Sequence, residues 1–548
     1  MNYSPTDLYV WDAWYMAVDD QVHAYHLARK RGAANVAADV ENSLGHAVTR
    51  DLVHWERRPP AFGPDPANPL DDRQPWTGCA VWHEGRGYLY YTMRGSADQC
   101  RIQRIGLGTS ADGEHWQRHA GNPIIVPDPR WYATDQAPVP RIVDCRDLIV
   151  IPDPKGGWLG FYATRIPGSP GRRRGEPGGE LPQTAAIACV RSPDLLRWEH
   201  LPPAFAPGKY ACIEVPDVFE MGGRWYMTCL TGHWYGNRGI WSDPNLVCGT
   251  MFAVADRPEG PYRELADNAL LAARWTAPLS CRSVLFQGQR YLLYTDRERV
   301  GRTDAGDMTF GTLTTPKLLR TDGERLYAAY CDRIECDVVE ELVGPSRPPV
   351  QEPGRLWGQI WQMPSARWDW GPEIAGRSST GWGVARLPFE AESFILEATV
   401  TIQQGVAAGL ALRMSGEMSG AIVALEPSGP TGPAVAYYEA PAFDFVEARR
   451  TPIVLGKPLR LRIVNRLEHV EIYVNDDLRL AFSRYRGIGG KVGLFVDRAA
   501  ATFRDVRLAR LSQIEGWDRP KPNDLAKNGP KVSTTAAASA DVAGGWAR

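Results

Sequence analysis

The sequence predicts an all-β chain, a β-propeller followed by a β-sandwich, and three features predict it. A short motif recurs as SLGHAVTRDLVHW, TSADGEHW and RSPDLLRW, which sets Asp51, Asp112 and Asp194 at the same spacing before Trp55, Trp116 and Trp198. Short runs of alternating apolar and polar residues, bounded by Gly, Pro and Asp, lie around each copy. A proline-rich stretch, VGPSRPPVQEPGR, then divides this region from a second strand-rich one.

The runs GYLYYTM, LIVIPD, WLGFYAT, RWYMTCL and RYLLYTD alternate with a period of two, the mark of antiparallel strands between turns. A repeat of roughly 60 to 80 residues suits a four-stranded blade with long loops. In such a blade the Asp closes a turn by accepting backbone N–H bonds, and the Trp fills the gap between adjacent sheets. The repeats are therefore read as architecture, not catalysis. Beyond the proline-rich stretch come FILEATVTIQ, AGLALRM, GAIVALE, AVAYYEA, LRLRIVN, VEIYVND, LRLAFS, KVGLFVD and ATFRDVRLARL, a series that argues for a sandwich of jelly-roll type. The expected boundaries are a propeller over 1–342, a linker over 343–355 with the stiffness proline confers, a sandwich over 356–512 and a disordered tail over 513–548. That tail is rich in Ala, Gly, Ser, Lys and Pro and has little to bury.

With 548 residues and 44% apolar content the chain can fill more than one core. Its 62 basic and 64 acidic side chains give a formal charge of −2, so no global field favours nucleic acid or an anionic membrane. The ten cysteines are too sparse for a disulfide scaffold and include no CxxC pair. The first residues lack a basic region followed by an apolar run, and no stretch of about 18 apolar residues occurs. The expectation is a soluble, cytoplasmic protein with no nucleic-acid or membrane partner; its oligomeric state is open.

A propeller places its ligand site at the funnel of the central channel, where the innermost strands converge. Three acidic residues lie in apolar segments suited to such strands: Asp12 in LYVWDAWYM, Asp147 in VDCRDLIVIPD and Glu214 in ACIEVPDVFEM. Buried carboxylates are costly unless paired or used, because desolvation raises their pKa. Two carboxyl groups with pKa values pushed apart are what glycoside hydrolysis needs, one ionised and one protonated. Each residue taken singly is as readily an acceptor for turn N–H groups; three on three blades favour a site.

SLGHAVTRDLVHWERRPPAF resembles the segment that ends the first blade in glycoside hydrolase family 32, the invertases, inulinases, levanases and fructan-processing transferases. QPWTGCAVWHEGRGYLYYT resembles that family's SGSA segment, GNPII its NP turn, RDL its RDP motif and IEVPDVFEM its EC-PD-F motif. VWDAWYM is closer to the start of family 68, the levansucrases of the same clan. The likeness runs through most of residues 10–300, and family 32 also carries a second, sandwich domain. The resemblance implies a five-bladed propeller and a retaining mechanism on a small β-fructofuranoside, by hydrolysis or fructosyl transfer. Asp12 would be the nucleophile, Glu214 the acid/base, and Asp147 with Arg146 the holder of fructosyl hydroxyls at the transition state. Trp76 and Thr77 match the substrate-contacting segment, while Trp11 and Trp14 would wall the fructose pocket. No metal or organic cofactor is implied. Family 32 reads NDPNG around its nucleophile where this chain has WDAWYM; Val215 stands for the usual Cys and Leu148 for the usual Pro.

The segment TGHWYGNRGIW offers His233, Trp234 and Tyr235 as leaving-group contacts. His46 is read as structural, and the loop around Arg172, Arg173 and Arg174 as a solvated insertion. No HExxH-like spacing points to a metal. Two rivals stay open. One is another furanosidase, of inverting family 43 type on arabinose or xylose units, or a processor of difructose dianhydride. The other is a propeller that binds carbohydrate without catalysis.

Overall fold

In a computed structural model the described residues are 3–31, 43–134, 142–167, 183–233, 236–237, 240–274, 279–350, 366–415, 420–440 and 442–512. The expected tail, 513–548, the last five residues of the expected linker, Arg172 to Arg174, Trp234 and Tyr235 lie outside them.

Five antiparallel blades follow one another along the chain, each built outward from its innermost strand. Blade I comprises Leu8–Val18, Gln21–Lys30, Ser43–Thr49 and Glu56–Phe62. Blade II begins with Trp76–His83, blade III with Arg146–Pro152 and blade IV with Glu214–Met221, each a separate four-stranded sheet. Blade V begins with Leu279–Phe286 and Gln289–Arg299; Met308–Leu313 and Lys317–Thr321 share its third position, and Leu326–Ala329 ends it. The ring closes through the N-terminal segment: Val10 pairs with Gly311, and Tyr3 and Leu313 exchange backbone bonds of 3.0 and 3.2 Å.

The three Asp-to-Trp repeats form one repeated joint. Oδ1 of Asp51 accepts the N–H groups of Val53 and His54, Asp112 those of Glu114 and His115, and Asp194 those of Leu196 and Arg197. The residue after each Asp, namely Leu52, Gly113 and Leu195, has positive φ, which the turn requires. Two of these residues tie neighbouring blades: Tyr25 donates to Gly113 O and Tyr90 to Leu195 O, both at 2.7 Å. The tryptophans occupy the seams, Trp116 edge-on to Tyr25 and Trp198 edge-on to Tyr90. Trp55 packs on the cluster formed by blade V residues with Tyr3 and Val10.

The second layered unit departs from the run of short strands read in the sequence. FILEATVTIQ and AGLALRM join into one strand, Ser393–Met414, and KVGLFVD joins ATFRDVRLARL in Gly490–Leu511. These two run antiparallel along their length with three register shifts. The first half of Ser393–Met414 also pairs with Pro458–Arg466, and its second half with Gly420–Gly429. A bend between the halves, at Gly405 with φ of 111°, lets one strand serve both sheets, as at a sandwich corner. Val338–Val343, expected to end the propeller, instead pairs with Gly490–Leu511.

Propeller and sandwich share a core. Phe219, Tyr226, Phe252 and Leu292 pack in one cluster with Ile395, Val464, Tyr473 and Leu511. At its centre lies a buried ionic network: Lys317 of blade V pairs with Glu471, Tyr294 donates to Glu471 at 2.8 Å, and His469 Nδ1 stands 3.1 Å from Asp296. Burial opposes these charges, yet Asp296 and Glu471 raise the His469 pKa to about 9, and Lys317 and His469 hold Glu471 far below the usual carboxylate range.

Breaking one partner of a buried pair costs roughly 3–5 kcal/mol, so Glu471→Gln is expected to lower stability by that order. The stabilisation from His469 is complete below about pH 6.5, its unfolded pKa, and is lost as pH rises through 9. Melting temperatures between pH 6 and 10 are expected to fall more steeply in the wild type than in His469→Gln; equal slopes would count against the network.

Candidate active site

The five innermost strands break register with their neighbours near their first residues, at the same end of the propeller. The shifts fall between Trp11 and Ala13, Trp76 and Cys79, Glu214 and Asp217, Leu279 and Arg282, and, in blade III, opposite Arg146. Bulges of this kind re-aim side chains. At four of them a non-glycine residue has positive φ: Asp12 at 35°, Asp147 at 62°, Val215 at 49° and Ser280 at 52°. In blade II the corresponding residue is Gly78, where a Cβ would meet Tyr90 O at 1.9 Å. The result is a ring of bulge residues around the mouth of the channel.

The three predicted carboxylates meet in that ring. Asp12 accepts bonds on both oxygens, from Thr77 Oγ1 at 2.5 Å and from the Ser280 hydroxyl, which come from the two flanking blades. Arg146 is buried and sits among acids: Asp144 Oδ1 at 2.6 Å, Glu214 Oε2 at 3.2 Å and Asp147 Oδ2 at 3.3 Å. Arg165 holds the other oxygen of Asp144 at 2.5 Å. Asp147 accepts the N–H of Val215 at 3.0 Å, which accounts for the strained backbone of that β-branched residue. Asp147 is 3% exposed, whereas Asp12 and Glu214 are half-buried and keep surface toward the funnel.

Burial raises the pKa of Asp12, against the bonds from Ser280 and Thr77 and the charges of Arg282 and Arg146. Burial also raises Asp147, to about 7; Arg146 opposes this, and the negative charges of Glu214 and Asp12 add to it. Two adjacent carboxyls thus have raised pKa values in one site, the setting in which acid and base roles can separate.

The aromatic wall read from the sequence is corrected in part. Trp14 is 1% exposed within the core of the first blades, so it has no face left for a sugar. Trp11 is 3% exposed and stacked on Phe310 at 3.8 Å between centroids; it braces the strand instead of lining a pocket. Trp76 is half-buried, with the Arg94 guanidinium 3.8 Å above its ring and its Nε1 donating to Gln74. His233 is exposed at the end of a blade IV strand. His46 lies on the third strand of blade I, 3.1 Å from His23, with its pKa pushed down to about 3 by burial and by His23.

Sequence reasoning missed Ser280 and Arg282. Arg282 is 1% exposed and donates to Asp147 O at 2.9 Å. Both lie on LSCRSVLF, the innermost strand of blade V, whose equivalence to the four others was the available signal. Asn237 was also missed: it bonds Ala211 N, Cys212 O and Thr231, and so fixes the approach to Glu214. A separate cavity of about 580 Å³ opens at the far ends of these strands, lined by Phe219, Met221, Trp225, Leu285 and Arg290. It has one carboxylate, Glu220, and no counterpart of the ring above.

A five-bladed propeller with a carboxylate-lined funnel, joined to a sandwich, is the build of a class of glycoside hydrolases. The N-terminal domain of glycosyl hydrolases family 32 matches residues 15–146. A sucrose-6-phosphate hydrolase of Zymomonas mobilis is 27% identical over 237 residues, 40% of this chain and 41% of that protein. A fructan 1-exohydrolase of Hordeum vulgare is 28% identical over 180 residues, 32% of this chain and 26% of that protein. The matched stretch thus spans less than half of either relative. Over nearly the whole chain the fold matches fructan 1-exohydrolase IIa from Cichorium intybus, with a TM-score of 0.66, 14% identity and coverage of 93% and 97%. It matches sucrose-6-phosphate hydrolase from Lactobacillus gasseri with a TM-score of 0.64, 16% identity and coverage of 94% and 93%. Residues 15–146 thus carry the family 32 N-terminal domain, and the fold of nearly the whole chain is that of these solved enzymes.

An acid whose pKa is raised in the fold favours the protonated native state, so Asp147 lowers stability as pH climbs from about 4 through 7. Asp147→Asn is expected to raise stability at pH 8, on the order of 1–3 kcal/mol, with the gain vanishing near pH 4. Denaturant unfolding at the two pH values checks it, and a loss at pH 8 would contradict it.

Proposed function

We propose that the protein is a retaining glycoside hydrolase or fructosyltransferase that acts on a small β-fructofuranoside through a covalent fructosyl-enzyme intermediate. The observation that carries this reading is the meeting of Asp12, Asp147 and Glu214 around Arg146, with only Asp12 and Glu214 open to the funnel. The names of the relatives, sucrose-6-phosphate hydrolase and fructan 1-exohydrolase, supply the substrate class.

In this scheme an Asp12 oxygen attacks the anomeric carbon as Glu214 gives its proton to the leaving oxygen. The glycosidic bond breaks with its electron pair on that oxygen, and an Asp12 ester forms. Glu214, now a base, takes a proton from water or an acceptor hydroxyl, which displaces Asp12 with a second inversion. Thr77 and Ser280 aim the nucleophile and favour its anion. Asp147, fixed by Val215 N–H and Arg146, faces the positive charge that develops on the sugar. In this reading Trp76, with Arg94 over its ring, contacts substrate on the blade II side, and the exposed His233 serves the leaving group. A cytoplasmic setting accompanies this reading, supported by cysteines too sparse for a disulfide scaffold; no helix among the described residues is long and apolar enough to cross a membrane.

The test is hydrolysis of sucrose, sucrose 6-phosphate, 1-kestose, inulin, levan, difructose dianhydride and nitrophenyl arabinofuranoside and xyloside. Wild type is expected to release fructose, and Asp12→Asn and Glu214→Gln to lower the rate at least about 100-fold, equivalent to roughly 2.7 kcal/mol. Cleavage of pentosides alone, or inversion at the anomeric carbon, would overturn the fructosyl reading. Removing a donor to Asp12 raises its pKa further, so Ser280→Ala is expected to move the acid limb of the kcat/KM profile to higher pH. An unmoved limb would assign that limb to another group.

A further inference from the structure

We propose that Asp51, His54 and Cys336 form a zinc-binding site on the propeller surface, remote from the funnel, at the point where the chain passes into the sandwich. One ligand atom from each of the three lies within 4.8 Å of the other two. A tetrahedral zinc ion with bonds of about 2.0–2.3 Å holds its ligand atoms within about 4 Å of one another, so a small adjustment of exposed side chains closes the site. Thiolate, imidazole and carboxylate together suit zinc, whereas magnesium and calcium prefer all-oxygen sets.

The surroundings are those of a metal-bound imidazole. His54 Nδ1 lies 2.7 Å from Asp51 Oδ2, and its Nε2 lies 3.5 Å from Asp337 Oδ1. Each ring nitrogen thus has a carboxylate beside it, Asp51 in hydrogen-bond contact and Asp337 at 3.5 Å, and a carboxylate near the nitrogen that does not take the ion orients the ring and strengthens it as a ligand. Asp337 is itself fixed by Arg466 and by Ser512 at 2.7 Å, both from the sandwich. Cys336 belongs to the short helix Asp332–Asp337, which leads into Val338–Val343, and Arg333 of that helix reaches Asp51 O. Binding would displace the thiol proton of Cys336 and link blade I to this helix.

The chain carries its own control. Asp112 and His115 make the same turn with the same 2.7 Å contact, and Arg197 replaces the histidine beside Asp194. The clamp by itself is thus a turn device; among the described residues only the first copy has a thiol within reach. Short-range sequence spacing did not show the group because Cys336 comes from the far end of the ring.

The experiment uses metal-free full-length protein titrated with cobalt(II) and then zinc. One equivalent of cobalt is expected to produce a thiolate-to-metal charge-transfer band that is absent in Cys336→Ser. Zinc affinity is expected to fall about tenfold or more in His54→Ala and to stay unchanged in His115→Ala. In the wild type, zinc is expected to shield Cys336 from iodoacetamide, read by peptide mass spectrometry, and to raise the melting temperature. No band and no shielding in the wild type would overturn the proposal, as would equal affinity in wild type, Cys336→Ser and His54→Ala.

Discussion

A guanidinium buried among carboxylates is the interaction on which the site depends. Asp144, Asp147 and Glu214 crowd Arg146, and Asp12 lies within their field. In a poorly solvated funnel such a group of anions repels itself, and an unpaired guanidinium there would be equally costly. The charges nearly balance: Arg146, Arg165 and Arg282 face Asp12, Asp144, Asp147 and Glu214. The excess of one negative charge is relieved by a proton shared within the cluster, where burial and the charges of Glu214 and Asp12 raise Asp147 to about 7 against the opposing charge of Arg146. A cluster one proton short of full ionisation can lend and recover that proton at neutral pH.

Backbone geometry supplies the rest. Each innermost strand gives up regular pairing at its mouth end, and in blades I, III, IV and V it spends strain on a left-handed residue that carries a side chain. Such conformations persist only where surrounding structure overdetermines them. Here the Asp-turn joints lock neighbouring blades, the N-terminal segment closes the ring, and the sandwich braces blades IV and V through a shared core and the Glu471 network. The sandwich therefore bears on the funnel indirectly, by fixing the blades that present Glu214 and Ser280.

The repeated Asp and Trp announced the blades because a turn acceptor and a seam-filling ring recur at fixed spacing in the chain. Asp12, Asp147 and Glu214 were legible because a charge inside an apolar run is conspicuous. Ser280 and Thr77 are small, neutral and common in strands, and only closure of the ring brings them to Asp12. Trp11 and Trp14 misled for the converse reason: an aromatic beside a candidate site carboxylate reads as a pocket wall, but strand alternation and the bulge at Asp12 turn both into the core. The joined sandwich strands escaped reading because Gly405 looks like a turn and acts as a bend.

The segment around Asp12, the proposed nucleophile, is where this chain departs furthest from the pattern it resembles, and the match to the family begins only at residue 15. In place of NDPNG stands WDAWYM, which offers no polar side chain next to the acid. The structure compensates from outside the segment. Hydroxyls from blades II and V take both oxygens of Asp12, and Trp11 stacks on Phe310 of blade V, so the strand is held by the same neighbour that supplies Ser280. The departure therefore alters the means by which Asp12 is aimed and its anion favoured against burial, while its place in the ring stays set by the bulge. If Asp12 is the nucleophile proposed above, a sugar contact that a polar neighbour would have made has to come from elsewhere on the rim, where the half-buried Trp76 lies with Arg94 above it.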